Sequence, residues 1–165
     1  MEVAEGVADV EDVGSFVGRL TDIGDRHDVT VQAFDARYVV DRAHLERAVE
    51  LARRARDRDD AIADDFGVEI LLYAAGRRQI DRALRMGVSE GECRVVVVAV
   101  GESPDDEVAA AADLRDLLSP GETLGEYDEA LVRDFFDVTD TELEATEGTL
   151  ADAVRERVAM LAVEK

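Results

Sequence analysis

The stretch YAAGRRQI, residues 73–80, sets two guanidinium forks and a carboxamide directly after a glycine. Such groups hold phosphate or carboxylate oxygens through paired N–H donors. Arg78, Arg82 and Arg85 stand at i, i+4 and i+7, the spacing that shares one helical face, and Arg77 can reach Asp81. If Gly76 closes one helix and Arg77 opens the next, two cations sit at a helix N-terminus, where the dipole disfavours them by about 0.3–1 kcal/mol. Local rules would place Asp, Ser or Glu there. The break in local consistency therefore points to an anionic ligand, held by the free N–H groups of the helix end together with the guanidiniums. For Arg82 and Arg85 a solvated face is the alternative. Tyr73 is either a core ring or a stacking surface for an unpaired base.

The setting makes these cations conspicuous. Of 165 residues, 40 are Asp or Glu and 19 are Lys or Arg, for a net charge of −21, and Lys165 is the only lysine. The imbalance is regional: residues 36–94 hold twelve Arg and twelve acids, so the whole excess falls outside them. An acidic, lysine-poor chain suits a salt-rich cytoplasm. At molar salt the screening length is about 3 Å, and an anionic partner must then be held by short contacts. Apolar residues make up 47%, which supports a packed core.

Other chemistry is missing. His27, His44 and Cys93 have no metal-ligand spacing, and a single cysteine excludes an internal disulfide. No P-loop, GxGxxG turn or GxSxG elbow occurs. The acid cluster DRDD lacks calcium-loop spacing. No nucleophile, base and oxyanion site assemble, so the expectation is a protein that is not an enzyme and needs no cofactor. The longest apolar run, VVVVAV, is too short to cross a bilayer, and the N-terminus has no secretory pattern; the sequence reads as cytoplasmic, with no membrane partner.

The positioning elements follow from periodicity. Residues 28–34 and 94–100 read as central strands, with a weaker one at residues 3–10. Asp12 caps a helix carrying Phe16, Val17, Leu20 and Ile23. Residues 42–56 form an amphipathic helix with Leu45, Ala48, Val49, Ala52 and Ala55 on one side. Asp65 and Gly76 bound a third helix, with a strand as the alternative. Residues 77–86 fit a short helix with Ile80, Ala83 and Leu84 inward. Ser103 and Pro104 open another, and residues 127–136 and 149–161 complete the set, the last presenting Leu150, Val154, Val158 and Leu161 together. The pattern predicts one α+β domain over residues 1–165, a central mixed or antiparallel sheet packed by several helices.

The run VEILLYAAGRRQIDRALRMGV resembles the signature of the small kinase-binding (PRPK-binding-protein-like) subunit of the KEOPS complex, with a Leu-Leu-Tyr-x-x-Gly-x-Arg-Gln-Ile core. VQAFDARYVVDRAHLERAVELARRA and the C-terminal ERVAMLAVEK agree with it. The resemblance implies a non-catalytic subunit that binds and stimulates an atypical kinase/ATPase. It also implies that the subunit helps recruit tRNA by its 3′ CCA end for threonylcarbamoyladenosine modification. On this chain the RNA end would lie near Gly76, Arg77, Arg78, Gln79 and Ile80, with Tyr73 behind; Arg78 and Gln79 match the motif, whereas Arg77 stands at a variable position. Kinase binding is expected on Val154, Val158 and Leu161, with packing onto the domain's own sheet as the alternative. An enzyme acting on a small anion, or a protein scaffold without RNA contact, are the competing readings, and self-association stays open.

Overall fold

The valine run forms the centre of the molecule. In the computed structural model, which describes residues 1–164, β3 (Gly91–Val100) lies between β1 (Glu2–Val10) and β2 (Thr30–Asp35), antiparallel to both. Val98 stands opposite Val3 on one side, and Val96 opposite Phe34 on the other. A strand buried on both faces needs apolar residues at every position rather than at alternate ones, which is why Val95–Val98 is an unbroken run. Val95, Val97 and Ala99 pack with α1 (Val13–His27) and α5 (Pro104–Leu117); Val96, Val98 and Val100 pack with α2 (Arg42–Asp57), α3 (Phe66–Ala75) and α8 (Leu150–Glu164). The result is a purely antiparallel sheet with helices on both faces.

Aspartate caps set the helix starts. Asp12 accepts from Ser15 N at 2.8 Å, Asp41 from His44 N at 2.8 Å and Asp65 from Val68 N at 2.9 Å. Ser103 occupies the expected cap position before Pro104 but makes no side-chain cap bond. The outer edge of β1 is covered by the chain after α5, where Val7 and Ser119 exchange both backbone hydrogen bonds at 2.9 Å. Gly6 makes that approach possible, since a Cβ there would lie 2.5 Å from the Ser119 carbonyl oxygen.

Two helices differ from expectation. The segment after Gly76 is a single helical turn, α4 (Ile80–Ala83), which tightens into a 3₁₀ turn at Leu84–Met86. Ala83 and Met86 are buried, but Ile80 and Leu84 face outward. In the 3₁₀ turn residues three apart line up, so Met86 follows Ala83 into the core and Leu84 falls off that line. Downstream, α6 (Glu129–Phe135) is followed by α7 (Asp140–Ala145), a helix the periodicity did not suggest. Its signal is the capping sequence Thr139-Asp-Thr-Glu142, in which the Thr139 hydroxyl accepts from Glu142 N at 3.1 Å.

Candidate functional site

The arginine segment hangs on the end of α3. This helix is apolar almost all round, and Ile70 to Ala75 are all buried. Tyr73 is fully enclosed, the core ring of its two readings, and offers no face to a base, which removes it from the residues expected at the RNA end. Gly76 ends the helix with φ 61°, and Arg77 N–H donates back to the Leu72 carbonyl at 3.1 Å. This six-residue closure satisfies the helix's last carbonyls and uses the Arg77 amide. Gly76 also leans on α8, where a Cβ would lie 3.2 Å from the Arg157 carbonyl oxygen.

The two arginines then diverge. Arg77 turns inward: its guanidinium lies 5.3 Å from the Phe135 ring centroid, donates to the Phe135 carbonyl and pairs with Asp137 at 3.5 Å. Arg157 completes this arrangement from α8, donating to the Phe136 carbonyl at 3.1 Å, the Asp137 carbonyl at 3.2 Å and the Glu142 carboxylate at 2.7 Å. The open carbonyls at the C-terminus of α6 are thus met by two cations, where the helix dipole favours positive charge. The expected helix N-terminus at Arg77 is absent, because α4 begins at Ile80 and has only one turn. The charge anomaly at Arg77 therefore has a structural cause that sequence spacing could not show: another helix's C-terminus stands beside it.

Arg78 turns outward. With Gln79, Ile80, Asp81 and Arg82 it forms an exposed ridge. Among the described residues only Arg19, Arg58, Arg78 and Arg82 have arginine side chains with no hydrogen bond, ion pair or ring contact. Two of these four lie on this one ridge. Arg85 does not join them as a free cation, since it lies 5.4 Å from the Phe135 ring and 3.9 Å from Asp134. The stripe of three arginines is therefore a pair, Arg78 and Arg82.

One element behind the site is set by a buried histidine. His44 on α2 reaches the Ala74 carbonyl in the last turn of α3 at 2.7 Å, and its other ring nitrogen lies 3.4 Å from Val40 N. Val40 N can only donate and the Ala74 carbonyl only accept, which assigns Nδ1 as acceptor and Nε2–H as donor, the neutral ring. Burial pushes its pKa down to about 4.

Val154, Val158 and Leu161, expected as the kinase face, are buried at 0, 0 and 2% exposure among α2 and α3 residues. They form the domain's own core and are not available to a partner. The large apolar residues that this helix turns outward are Met160 and Val163.

Geometry thus defines a three-stranded α+β protein whose surface carries a solvent-facing cation ridge, anchored by an arginine clamp beneath it. The chain belongs to the CGI-121 kinase binding protein family, whose model matches residues 7–162. A search among curated proteins gave no match. No described helix is long and apolar enough to cross a membrane, and among the described residues no three His, Cys, Asp or Glu side chains are grouped to hold a metal ion.

Proposed function

We propose that this kinase-binding protein serves as the non-catalytic KEOPS subunit that stimulates the atypical kinase/ATPase and helps bring tRNA to it by the 3′ CCA end. The kinase partner follows from family membership. The observation that carries the RNA half is the Arg78–Arg82 ridge: a chain with 40 acids leaves two neighbouring guanidiniums without a carboxylate. Phosphates of an unpaired strand supply the missing partners, and Gln79 between them offers a carboxamide to a base edge.

The test is binding of a full-length tRNA and of the same tRNA lacking CCA, at fixed salt. Wild-type protein is expected to prefer the intact tRNA, and Arg78→Glu to lose that preference while its unfolding midpoint stays in place. Equal affinity of wild type for both RNAs would leave a kinase-binding scaffold without RNA contact. The exposed ridge, open to solvent on its outer side, suits a passing strand better than the enclosed pocket that turnover of a small anion requires.

A further inference from the structure

We infer that His44 is a positioning residue for RNA binding: from α2 it caps the C-terminus of α3 and so fixes the backbone from which Arg78 departs. The inference rests on the RNA-binding reading of the ridge and names what holds that ridge in place.

A helix leaves its last four carbonyls without a partner of its own. In α3 these belong to Leu72, Tyr73, Ala74 and Ala75. The reversal at Gly76 meets two of them: Gly76 N–H donates to the Tyr73 carbonyl and Arg77 N–H to the Leu72 carbonyl, both at 3.1 Å. The Ala74 carbonyl is met from outside the helix, by His44 Nε2–H at 2.7 Å, from a residue 30 positions earlier in the chain.

Burial decides which residue can do this. Helix C-termini near the surface are met by cations, as Arg77 and Arg157 meet the end of α6. His44 is 0% exposed, where a charged donor is far more costly to bury, and a neutral imidazole donates without bringing charge inward. Packing alone would ask for leucine, as at Leu45 and Leu51 of the same helix.

The ring is held in turn by its surroundings. Nδ1 accepts from Val40 N–H at 3.4 Å, and the ring packs edge-on against Phe136, with centroids 5.7 Å apart. Phe136 follows the last turn of α6, and its carbonyl accepts from Arg157. His44 therefore joins the start of α2, the last turn of α3 and the end of α6, the junction on which Arg77 is clamped. Three residues, Ala75, Gly76 and Arg77, separate the capped carbonyl from Arg78. A hydrogen bond inside the core is scarcely screened, so this support keeps its strength at high salt.

Two amide substitutions divide the bonds of the ring. His44→Gln carries an N–H close to the Nε2 position and keeps the donor to Ala74, whereas His44→Asn is too short for that and can keep only the acceptor for Val40 N–H. Full-length wild type and both variants are compared for binding to a tRNA with and without CCA, at neutral pH and fixed KCl, with urea midpoints and amide exchange at Arg77 measured alongside. The expected result is a preference for intact tRNA kept within about twofold by His44→Gln and reduced about tenfold by folded His44→Asn, whose Arg77 amide exchanges faster. Affinity for the CCA-less tRNA and for the kinase should stay within about twofold in both. A folded His44→Asn that keeps the preference overturns the inference. So does equal loss in the two variants, which would reduce His44 to a general support of the core. Ring-nitrogen NMR of wild type gives a test that no variant has to fold for: the proton is expected on Nε2, and a proton on Nδ1 alone removes the cap. Wild type that binds both RNAs alike removes the RNA reading itself, and the inference with it.

Discussion

Adjacent arginines with opposite duties should separate cleanly under substitution. Arg77→Ala deletes a charged donor to the Phe135 carbonyl, worth about 1.5–3 kcal/mol, and a ring interaction at 5.3 Å worth about 0.5–1 kcal/mol. The Asp137 partner is 80% exposed and adds almost nothing after screening. These contributions share one group and do not add fully, so about 2–3 kcal/mol is the expected destabilisation, a large part of the 5–15 kcal/mol typical of a domain. Arg78→Ala removes a side chain without partners and should fall within about 0.5 kcal/mol of wild type. Urea unfolding at fixed KCl measures both, with a shifted midpoint and unchanged slope for Arg77→Ala alone. Binding should show the converse for Arg78→Ala: folded protein, weaker tRNA binding, and a salt slope reduced by about 0.7 for each single-strand phosphate that is no longer neutralised. An unmoved midpoint for Arg77→Ala, or equal destabilisation by both changes, refutes the division between clamp and ridge.

His44 is neutral in the fold at a pKa of about 4, below its ordinary value near 6.5, so the unfolded chain binds the extra proton first. Its contribution is complete above pH 6.5 and is lost as pH falls from there through 4, by about 3 kcal/mol in total, and pH-dependent unfolding of His44→Gln should lack that part of the slope. Gly76→Ala places a side chain at φ 61° and against the Arg157 carbonyl, and should lower stability by about 1–3 kcal/mol in thermal unfolding while also weakening tRNA binding through displacement of Arg78. Glu69 is fully buried and accepts from Ile62 N at 3.0 Å and Ala63 N at 2.9 Å. Glu69→Ala strands both donors, and limited proteolysis should cut near residues 58–64 in the variant under conditions that spare wild type.

What was legible in the sequence were features with local causes. The three strands, the aspartate caps of α1 and α3, and the glycine end of α3 each depend on a few neighbouring residues, and each lies where the local pattern placed it. Features decided by distant packing were not legible. The turn of α4 and its 3₁₀ continuation present Met86 rather than Leu84 to the core, a side that periodicity alone did not select. Val154, Val158 and Leu161 form a face that a partner or the core could cover equally well on sequence grounds, and the domain's own α2 and α3 take it. Arg77 failed for a related reason. Its partner is the C-terminus of α6, 58 residues further along the chain, so local rules saw a misplaced cation where the fold has a satisfied one.

That correction strengthens the case for Arg78 rather than weakening it. The anomaly shared by two arginines in the sequence is explained at Arg77, and what stays unexplained by the fold is confined to Arg78 and Arg82. The clamp also bears on how such a ridge would work if the medium were molar salt. With fields cut off within about 3 Å, attraction at a distance contributes little and the guanidiniums must already stand where the anion arrives. Arg77 is bonded to α6, α6 is held by Arg157 of α8, and Gly76 rests on the Arg157 backbone, so the residue before Arg78 is fixed from three sides. A rigid support of this kind lets a short exposed ridge bind by position instead of by net charge. It also follows that changes at Phe135, Arg157 or Gly76, none of which faces the ligand, should weaken tRNA binding by loosening the ridge, while a change at Glu142, which holds only Arg157 and not Arg77, should do so less.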